Sequence, residues 1–298
     1  MHFYIKHNKM KWQQPQVRLA FQRDPRSIDA FQQAWEQRNK QYPMSEEDIN
    51  QFSHIVDQIE DKGFTIIPGL FTDIIDEFAD NMYKRFDEGQ GTVNSERSED
   101  IRNRNNHQLI KNPLYNAPEI APFVFNEYVF RIAMSYLKCY PAVGTLNLRR
   151  SFANDVPVEG VQYYHIDPNS PRFIKFFVYL NDVDELEHGP FTYMEGSNRK
   201  IAPGVDQVHR LKDSLAEDLY GKDKVTPIYA KKGDLIIADT TGLHKGSKCK
   251  TRDRIMLTIN YGIHSEEFRP QNFDIRKDTY DNLPAHLKYT CDFLNIKE

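Results

Sequence analysis

Cysteine is scarce in this sequence, which has three cysteines, Cys139, Cys249 and Cys291, among 298 residues. Their odd number and wide spacing do not suit a disulfide framework. The first residues, MHFYIKHNKMKWQQPQ, also lack the basic-then-apolar pattern of a secretion signal. We therefore expect a protein of the reducing cytoplasm.

The sequence also lacks a long apolar run and a strong excess of charge. Without a run of about 18 apolar residues, a membrane-spanning helix is not expected. The 39 basic and 43 acidic residues give a net charge of −4, which creates no positive field for nucleic acid. Hydrophobic residues at 39% and charged residues at 28% are typical of a globular protein. We therefore expect neither membrane insertion nor nucleic-acid binding.

Helical patterns dominate the first half of the chain. Residues 1–44 are polar and contain one predicted helix, SIDAFQQAWEQRNKQ, so we interpret them as an N-terminal extension packed on the body. Between Ser45, a suitable N-cap, and Gly63, apolar residues at three- and four-residue steps predict an amphipathic helix. GFTIIPGLF then predicts a short buried strand, and helices are predicted in TDIIDEFADNMYKRF and NAPEIAPFVFNEYVFRIAMSYLK.

From Thr145 onward, short β-rich runs separated by turn residues replace the helical pattern. Six strands are predicted, in TLNLRRSF, VQYYHI, FIKFFVYL, FTYM, DLIIADT and RIMLTINYG. Helices that lead and strands that follow indicate an α+β fold around an antiparallel barrel or jelly roll. We expect one domain over residues 45–264 and a C-terminal tail, residues 265–298, packed on it.

The segment YYHIDP holds a histidine and a carboxylate two positions apart. Side chains alternate between the two faces of a strand, so Tyr163, His165 and Asp167 would point to the same side. Pro168 cannot donate to a strand ladder and suits a strand end at a barrel mouth. The imidazole and the carboxylate could then bind one metal ion.

A second imidazole would complete the two-histidine, one-carboxylate set of non-haem Fe(II) oxygenases. His244 is the best candidate, because it follows the predicted strand DLIIADT after a short turn. The other histidines lie in terminal, helical, loop, turn or strand-end contexts: His2, His7, His54, His107, His188, His209, His264 and His286.

Such a site leaves coordination positions open, which a 2-oxo acid and dioxygen can occupy. If the co-substrate is 2-oxoglutarate, its far carboxylate needs a fixed cationic partner, and arginine offers two-point geometry. Arg254 begins a predicted strand ten residues after His244. Arg252 is the competing candidate, but it lies in a predicted turn.

These motifs resemble the phytanoyl-CoA dioxygenase-like group of Fe(II)/2-oxoglutarate-dependent oxygenases. The resemblance runs from DKGFTIIPGLFTDIIDEF through HID, FFVYLNDVDELEHGPFTYMEGSN and GDLIIADTTGLHKGS to the strand led by Arg254. It implies a double-stranded β-helix with N-terminal helices packed on it. It also implies that His165, Asp167 and His244 hold Fe(II) and that Arg254 binds 2-oxoglutarate.

Further pocket residues are predicted on the strand FIKFFVYL. Lys175, Phe177 and Tyr179 share one face and are expected to line the co-substrate site, Phe177 at a family position beside it. The opposite face is expected to be core. Arg149 and Arg150 point to opposite sides of their strand, so one of them at most faces the pocket.

The expected activity is hydroxylation of an unactivated C–H bond in a small-molecule metabolite, consuming O2 and 2-oxoglutarate and releasing succinate and CO2. Alternatives are desaturation, cyclisation or epimerisation at the same metal site, or a non-catalytic ligand-binding barrel with a vestigial site. A metal-only dioxygenase that uses no 2-oxo acid is a further alternative. Residues 87–108, with their mixed-charge loop, are the candidate closing segment.

Overall fold

The computed structural model describes residues 25–202, 205, 210–263 and 273–298. Most of the predicted N-terminal extension, the domain boundary near residue 264, and the histidines His2, His7, His209 and His264 lie outside these ranges. Within them, no helix is both long enough and apolar enough to cross a membrane.

The strands pair into two antiparallel sheets and a small parallel pair. The strands are β1 (Phe64–Ile67), β2 (His107–Leu109), β3 (Ala142–Ser151), β4 (Phe173–Tyr179), β5 (Phe191–Met194), β6 (Val225–Ile228), β7 (Leu235–Ala238), β8 (His244–Gly246), β9 (Arg254–Gly262), β10 (Asp274–Arg276) and β11 (Asn295–Lys297). The larger sheet has six strands in the order β1-β7-β4-β9-β3-β2, and the smaller has three in the order β6-β5-β8. The strands β10 and β11 pair in parallel.

The α-helices lie mainly before β3. They are α1 (Pro25–Gln41), α2 (Glu46–Asn50), α3 (Ser53–Lys62), α4 (Ile75–Glu88), α5 (Ser98–Ile101), α6 (Pro113–Asn116), α7 (Ala121–Val124), α8 (Glu127–Leu137), α9 (Asp213–Tyr220), α10 (Lys277–Asp281) and α11 (Ala285–Lys288). The predicted mixture of helices and antiparallel strands is therefore present.

The helix predicted between Ser45 and Gly63 forms as two pieces. Ser45 and Asp48 make a reciprocal capping box at the start of α2, which satisfies helix-end N–H groups. Phe52 interrupts the helix with non-helical angles, φ −114° and ψ 26°, and α3 then runs to Gly63. Gly63 adopts φ 95°, and a Cβ there would lie 2.2 Å from the ring of Tyr193. A glycine is therefore needed to bring α3 against the smaller sheet.

The hydrophobic core lies between the helices and one face of the larger sheet. Alternate residues of β4, among them Ile174, Phe176 and Val178, belong to this core, as the sequence predicted for that face. The opposite face of β4 contributes Phe177 and Tyr179 to a second cluster, shared with the smaller sheet. Each long strand therefore presents one face to the helices and the other to the space between the sheets.

The terminal segments pack on this body where they are described. In α1, the indole of Trp35 donates to the carbonyl of Leu137, and the Arg38 guanidinium donates to Asp292 Oδ2 at 2.9 Å. Asn112 donates to Asp274 Oδ2 at the start of β10. These contacts join the two ends of the described chain to the helical layer.

One strand prediction was wrong. Residues 161–166, VQYYHI, form no continuous strand: Gly160–Gln162 is a 3-10 helix, followed by isolated bridges at Tyr164 and His165. Glu159 and Gln162 form a capping box that stabilises this helical turn. The pattern of alternate faces nevertheless holds from Tyr164 onward, because Tyr164 and Ile166 pack in an apolar cluster while His165 and Asp167 face the cavity.

The helix–sheet core predicts the effect of a cavity-forming substitution. Ile237 on β7 is fully buried, whereas Ile74 is 42% exposed. We expect Ile237→Ala to lower the free energy of unfolding by about 2–5 kcal/mol, and Ile74→Ala by less than about 1 kcal/mol. Chemical denaturation of both variants checks this. Equal losses in the two variants would contradict the described core.

Candidate active site

Two backbone hydrogen bonds bring His165 and His244 together. The N–H of His165 donates to the carbonyl of His244 at 2.9 Å, and the N–H of His244 donates to the carbonyl of His165 at 3.0 Å. Residues that exchange both bonds lie directly opposite each other on neighbouring strands. The ring centroids are 4.3 Å apart. Backbone pairing therefore places side chains distant in sequence at one point.

Both imidazoles are held in the same tautomer. The Nδ1 atom of His165 lies 2.9 Å from the carbonyl of Tyr163, and that of His244 lies 2.9 Å from the carbonyl of Gly242. A carbonyl can only accept, so each Nδ1 carries a proton, which leaves Nε2 as the ring atom that a metal ion would bind. Burial lowers the pKa of His165 well below its usual value, which favours the neutral ligand form.

Asp167 lies against both Nε2 atoms. Its Oδ2 is 3.2 Å from Nε2 of His244, and its Oδ1 is 3.8 Å from Nε2 of His165. The Lys175 ammonium donates to Oδ2 at 2.6 Å. Burial opposes ionisation, but the charge of Lys175 outweighs it and holds the pKa of the Asp167 carboxyl well below its usual range. The carboxylate is therefore charged and oriented.

The three side chains form a group with the geometry of a metal site. One donor atom from each of His165, Asp167 and His244 lies within 4.8 Å of the other two. Two neutral imidazoles and one carboxylate are the donor set suited to non-haem iron. The residues predicted as metal ligands are thus brought together by the fold.

These three residues lie at one wall of a cavity of about 390 Å³ between the two sheets. The cavity is also lined by polar and apolar side chains that face inward from the strands β3, β4, β5 and β9: Asn147, Arg149, Ser151, Lys175, Phe177, Phe191, Arg254, Met256 and Thr258. A volume of this size accommodates a small organic molecule.

Arg254 lies in the wall of this cavity with unsatisfied hydrogen-bonding capacity. The residue is 3% exposed, and its Nε and Nη1 atoms have no hydrogen-bond partner in the part of the chain that the structure describes. Its Nη2 atom lies 3.4 Å from the hydroxyl of Ser151, with which it pairs across β3 and β9. A Cβ at Gly246 would lie 3.4 Å from the same Nη2, so this glycine keeps space beside the guanidinium. Buried unpaired N–H groups are costly and indicate a missing acceptor.

The competing arginine, Arg252, lies elsewhere. Its guanidinium donates to Asp184 Oδ1 at 2.9 Å and contacts Nδ1 of His188, in an exposed turn outside the cavity. Of these two arginines, Arg254 lines the cavity and Arg252 does not.

The structure distinguishes Arg149 from Arg150. Arg149 lines the cavity. Arg150 points the opposite way and donates to Asp253 Oδ2 at 2.8 Å and Asp87 Oδ1 at 2.5 Å. Burial, followed by the nearby charge of Arg254, lowers the pKa of Arg149 to about 10.

The predicted pocket face of β4 is only partly in the cavity. Lys175 and Phe177 line it, but Tyr179 does not. The Tyr179 hydroxyl accepts from the N–H of Phe191 at 2.8 Å and donates to the carbonyl of Ile228 at 3.3 Å, in the apolar cluster between the sheets. Tyr163 also lies outside the cavity lining and contributes its carbonyl to His165. Cys249 is a buried free thiol.

The predicted closing segment reaches the cavity at its C-terminal end. Asn106 and His107 line the cavity, next to Glu159 and Gln162. The segment is docked, because Arg102 makes two hydrogen bonds to Asp253, at 2.8 and 2.6 Å. Sequence reasoning missed these rim residues, since β2 is too short to show an alternating pattern.

Comparisons with known proteins give structural relatives only. No family model matches the sequence, and no curated protein matches it significantly. Among solved structures, HygX from Streptomyces hygroscopicus with nickel, 2-oxoglutarate and hygromycin B bound is 17% identical, with a TM-score of 0.54 over 79% of this chain and 93% of that chain.

Two enzymes of nogalamycin biosynthesis are also similar. The epimerase SnoN, in complex with Fe3+, alpha ketoglutarate and nogalamycin RO, is 12% identical with a TM-score of 0.54, over 70% of this chain and 82% of that chain. The alpha ketoglutarate-dependent carbocyclase SnoK is 14% identical with a TM-score of 0.51, over 74% of this chain and 84% of that chain. The chain therefore shares its fold with iron- and 2-oxoglutarate-dependent enzymes.

Proposed function

We propose that this protein is an Fe(II)- and 2-oxoglutarate-dependent oxygenase. His165, Asp167 and His244 would hold the iron, and Arg254 would bind the far carboxylate of 2-oxoglutarate. The two sheets would be the halves of a double-stranded β-helix. The sequence motifs quoted above resemble those of the phytanoyl-CoA dioxygenase-like enzymes, and we propose membership of that group. A cytoplasmic location agrees with the low cysteine content.

One observation carries this proposal. Two histidines and one carboxylate line the same cavity as a buried arginine whose Nε and Nη1 atoms have no hydrogen-bond partner among the residues described. The donor set fits a divalent iron ion. The unpaired guanidinium N–H groups fit a carboxylate, which accepts two parallel hydrogen bonds. The structural relatives that bind 2-oxoglutarate support the same assignment.

When bound, iron and 2-oxoglutarate would supply the oxidising chemistry, in which O2 is consumed, 2-oxoglutarate becomes succinate and CO2, and the substrate is oxidised. The chain's own part is positional. The carbonyls of Tyr163 and Gly242 fix the imidazole tautomers. Lys175 orients Asp167 through its hydrogen bond. Phe177 and Phe191 stack with centroids 4.6 Å apart and give the cavity an apolar wall that limits access of water.

Hydroxylation of an unactivated C–H bond in a small molecule is the proposed reaction. Desaturation, cyclisation and epimerisation remain the second candidates, since an epimerase and a carbocyclase share this fold. Mass spectrometry of the product separates them: hydroxylation adds one oxygen atom, desaturation and cyclisation remove two hydrogen atoms, and epimerisation leaves the mass unchanged. A metal-only dioxygenase would keep its activity when Arg254 is replaced.

Removal of a metal ligand tests the iron site. We expect His244→Ala and Asp167→Ala each to weaken Fe(II) binding by more than about 100-fold, because even loss of a group that merely supports a ligand costs about 10- to 100-fold. Anaerobic isothermal titration calorimetry measures this. His54→Ala, on the exposed face of α3, is the matched control. Unchanged Fe(II) affinity in both ligand variants would remove the basis of the proposal.

Replacement of the cavity arginine tests the co-substrate site. We expect Arg254→Gln to raise the KM for 2-oxoglutarate by about 10- to 100-fold while Fe(II) binding persists, because two charge-assisted hydrogen bonds are lost. Arg252→Gln, two residues away in the exposed turn, should leave the KM unchanged. Succinate release measures both. Equal effects of the two substitutions would argue against a specific role of Arg254.

A further inference from the structure

We propose that Arg149 is the substrate-recognition residue of this cavity and that the substrate carries an oxyanion, such as a carboxylate or a phosphate ester, which Arg149 binds. This inference rests on the proposed function and adds a substrate class to it. The observations that carry it are the place of Arg149 in the cavity wall, the absence of a partner for its guanidinium, and the charges around it.

Arg149 has a direction fixed by its strand. On β3, Asn147, Arg149 and Ser151 alternate with core residues and line the cavity, while Arg150 faces the opposite side. Arg149 pairs with Met256 across β9, one inward-facing position along from the pair of Ser151 and Arg254. The two arginines are therefore neighbours on one wall of one cavity.

The Arg149 guanidinium makes no hydrogen bond or ion pair with any residue in the described part of the chain. Burial and the charge of Arg254 disfavour its ionised form, while Glu159 partly compensates. Arg150, by contrast, has Asp87 and Asp253 as ion-pair partners. A cation kept in a cavity without a partner is destabilising unless a ligand supplies the anion.

The charges of the cavity leave Arg149 as the unmatched group. Among the described residues, the cavity lining holds three cationic side chains, Arg149, Lys175 and Arg254. Lys175 is paired with Asp167 at 2.6 Å, and Arg254 would be paired with 2-oxoglutarate. Glu159 is the remaining carboxylate of the lining, and its side chain is 57% exposed to solvent. A second organic anion is therefore the partner that the cavity lacks once the co-substrate is bound.

The cavity rim next to Arg149 carries uncharged polar side chains. His107 lines the cavity, and its pKa is lowered to about 4 by burial, followed by the charge of Arg149. The imidazole is therefore neutral near pH 7 and can donate one hydrogen bond and accept another. Asn106 and Gln162 lie beside it in the lining. Such a rim suits the uncharged polar part of a substrate whose oxyanion lies on Arg149.

A rival role for Arg149 is to bind 2-oxoglutarate together with Arg254. The two roles predict different results. If Arg149 bound the co-substrate, Arg149→Gln would weaken 2-oxoglutarate binding as Arg254→Gln does. If Arg149 binds the substrate, Arg149→Gln keeps the wild-type affinity for 2-oxoglutarate and loses affinity for a second anion.

Binding to the full-length protein, loaded anaerobically with Fe(II) and saturating 2-oxoglutarate, tests the proposal. Acetate and methyl phosphate are the anionic probes, and acetamide is the neutral counterpart of acetate. We expect calorimetry to show saturable binding of at least one anion and none of acetamide. Arg149→Gln should weaken that binding by about 10- to 100-fold, as expected for a charge-assisted pair. Arg199→Gln, which removes an exposed arginine, is the control and should bind as the wild type does.

Thermal unfolding without ligands separates recognition from a structural role. Because Arg149 has no partner to lose, Arg149→Gln should melt at the same temperature as the wild type or higher. A lower melting temperature, absence of anion binding by the loaded wild type, or weaker 2-oxoglutarate binding in Arg149→Gln would each overturn the proposal. Failure of the wild type to bind Fe(II) and 2-oxoglutarate would instead refute the proposed function itself.

Discussion

The hydrogen-bonded pair formed by His165 and His244 is the constraint on which the site depends. Two reciprocal backbone bonds place the imidazoles side by side, and the chain direction set by that pair carries Asp167 to the same point. Asp167 is itself tied by its N–H to the carbonyl of Thr240 at 3.0 Å. Side-chain chemistry at this site is therefore a consequence of main-chain pairing, which a substitution of one side chain leaves in place.

The two faces of the larger sheet have different roles. On β3, β4 and β9, one set of alternate side chains packs against the helices, and the other set lines the cavity. This arrangement lets a rigid apolar core hold charged groups at fixed positions. The cationic side chains of the cavity differ in their partners: Lys175 is paired with Asp167, whereas Arg149 and the Nε and Nη1 atoms of Arg254 have no hydrogen-bond partner among the described residues. Unpaired guanidinium groups therefore lie in the cavity, where anionic ligands would bind.

Much of this could be predicted from sequence because periodicity carries it. The long strands and the shared face of His165 and Asp167 follow from alternation, and the ordered motifs indicated His244 and Arg254. The strand predicted over residues 161–166 was wrong because the capping box of Glu159 and Gln162 stabilises a helical turn there. The position of Arg149 in the cavity wall could be recognised only from the register of β3 with β9. The position of His107 could be recognised only from the pairing of β2 with β3. Such long-range pairings leave no local signal.

Crystals grown anaerobically with Fe(II) and 2-oxoglutarate would test the central claim most directly, through anomalous scattering at the iron edge. We predict one strong peak about 2 Å from Nε2 of His165, Nε2 of His244 and a carboxylate oxygen of Asp167. A peak on other side chains, or no peak at these three residues in crystals grown with excess Fe(II), would contradict the proposed iron site.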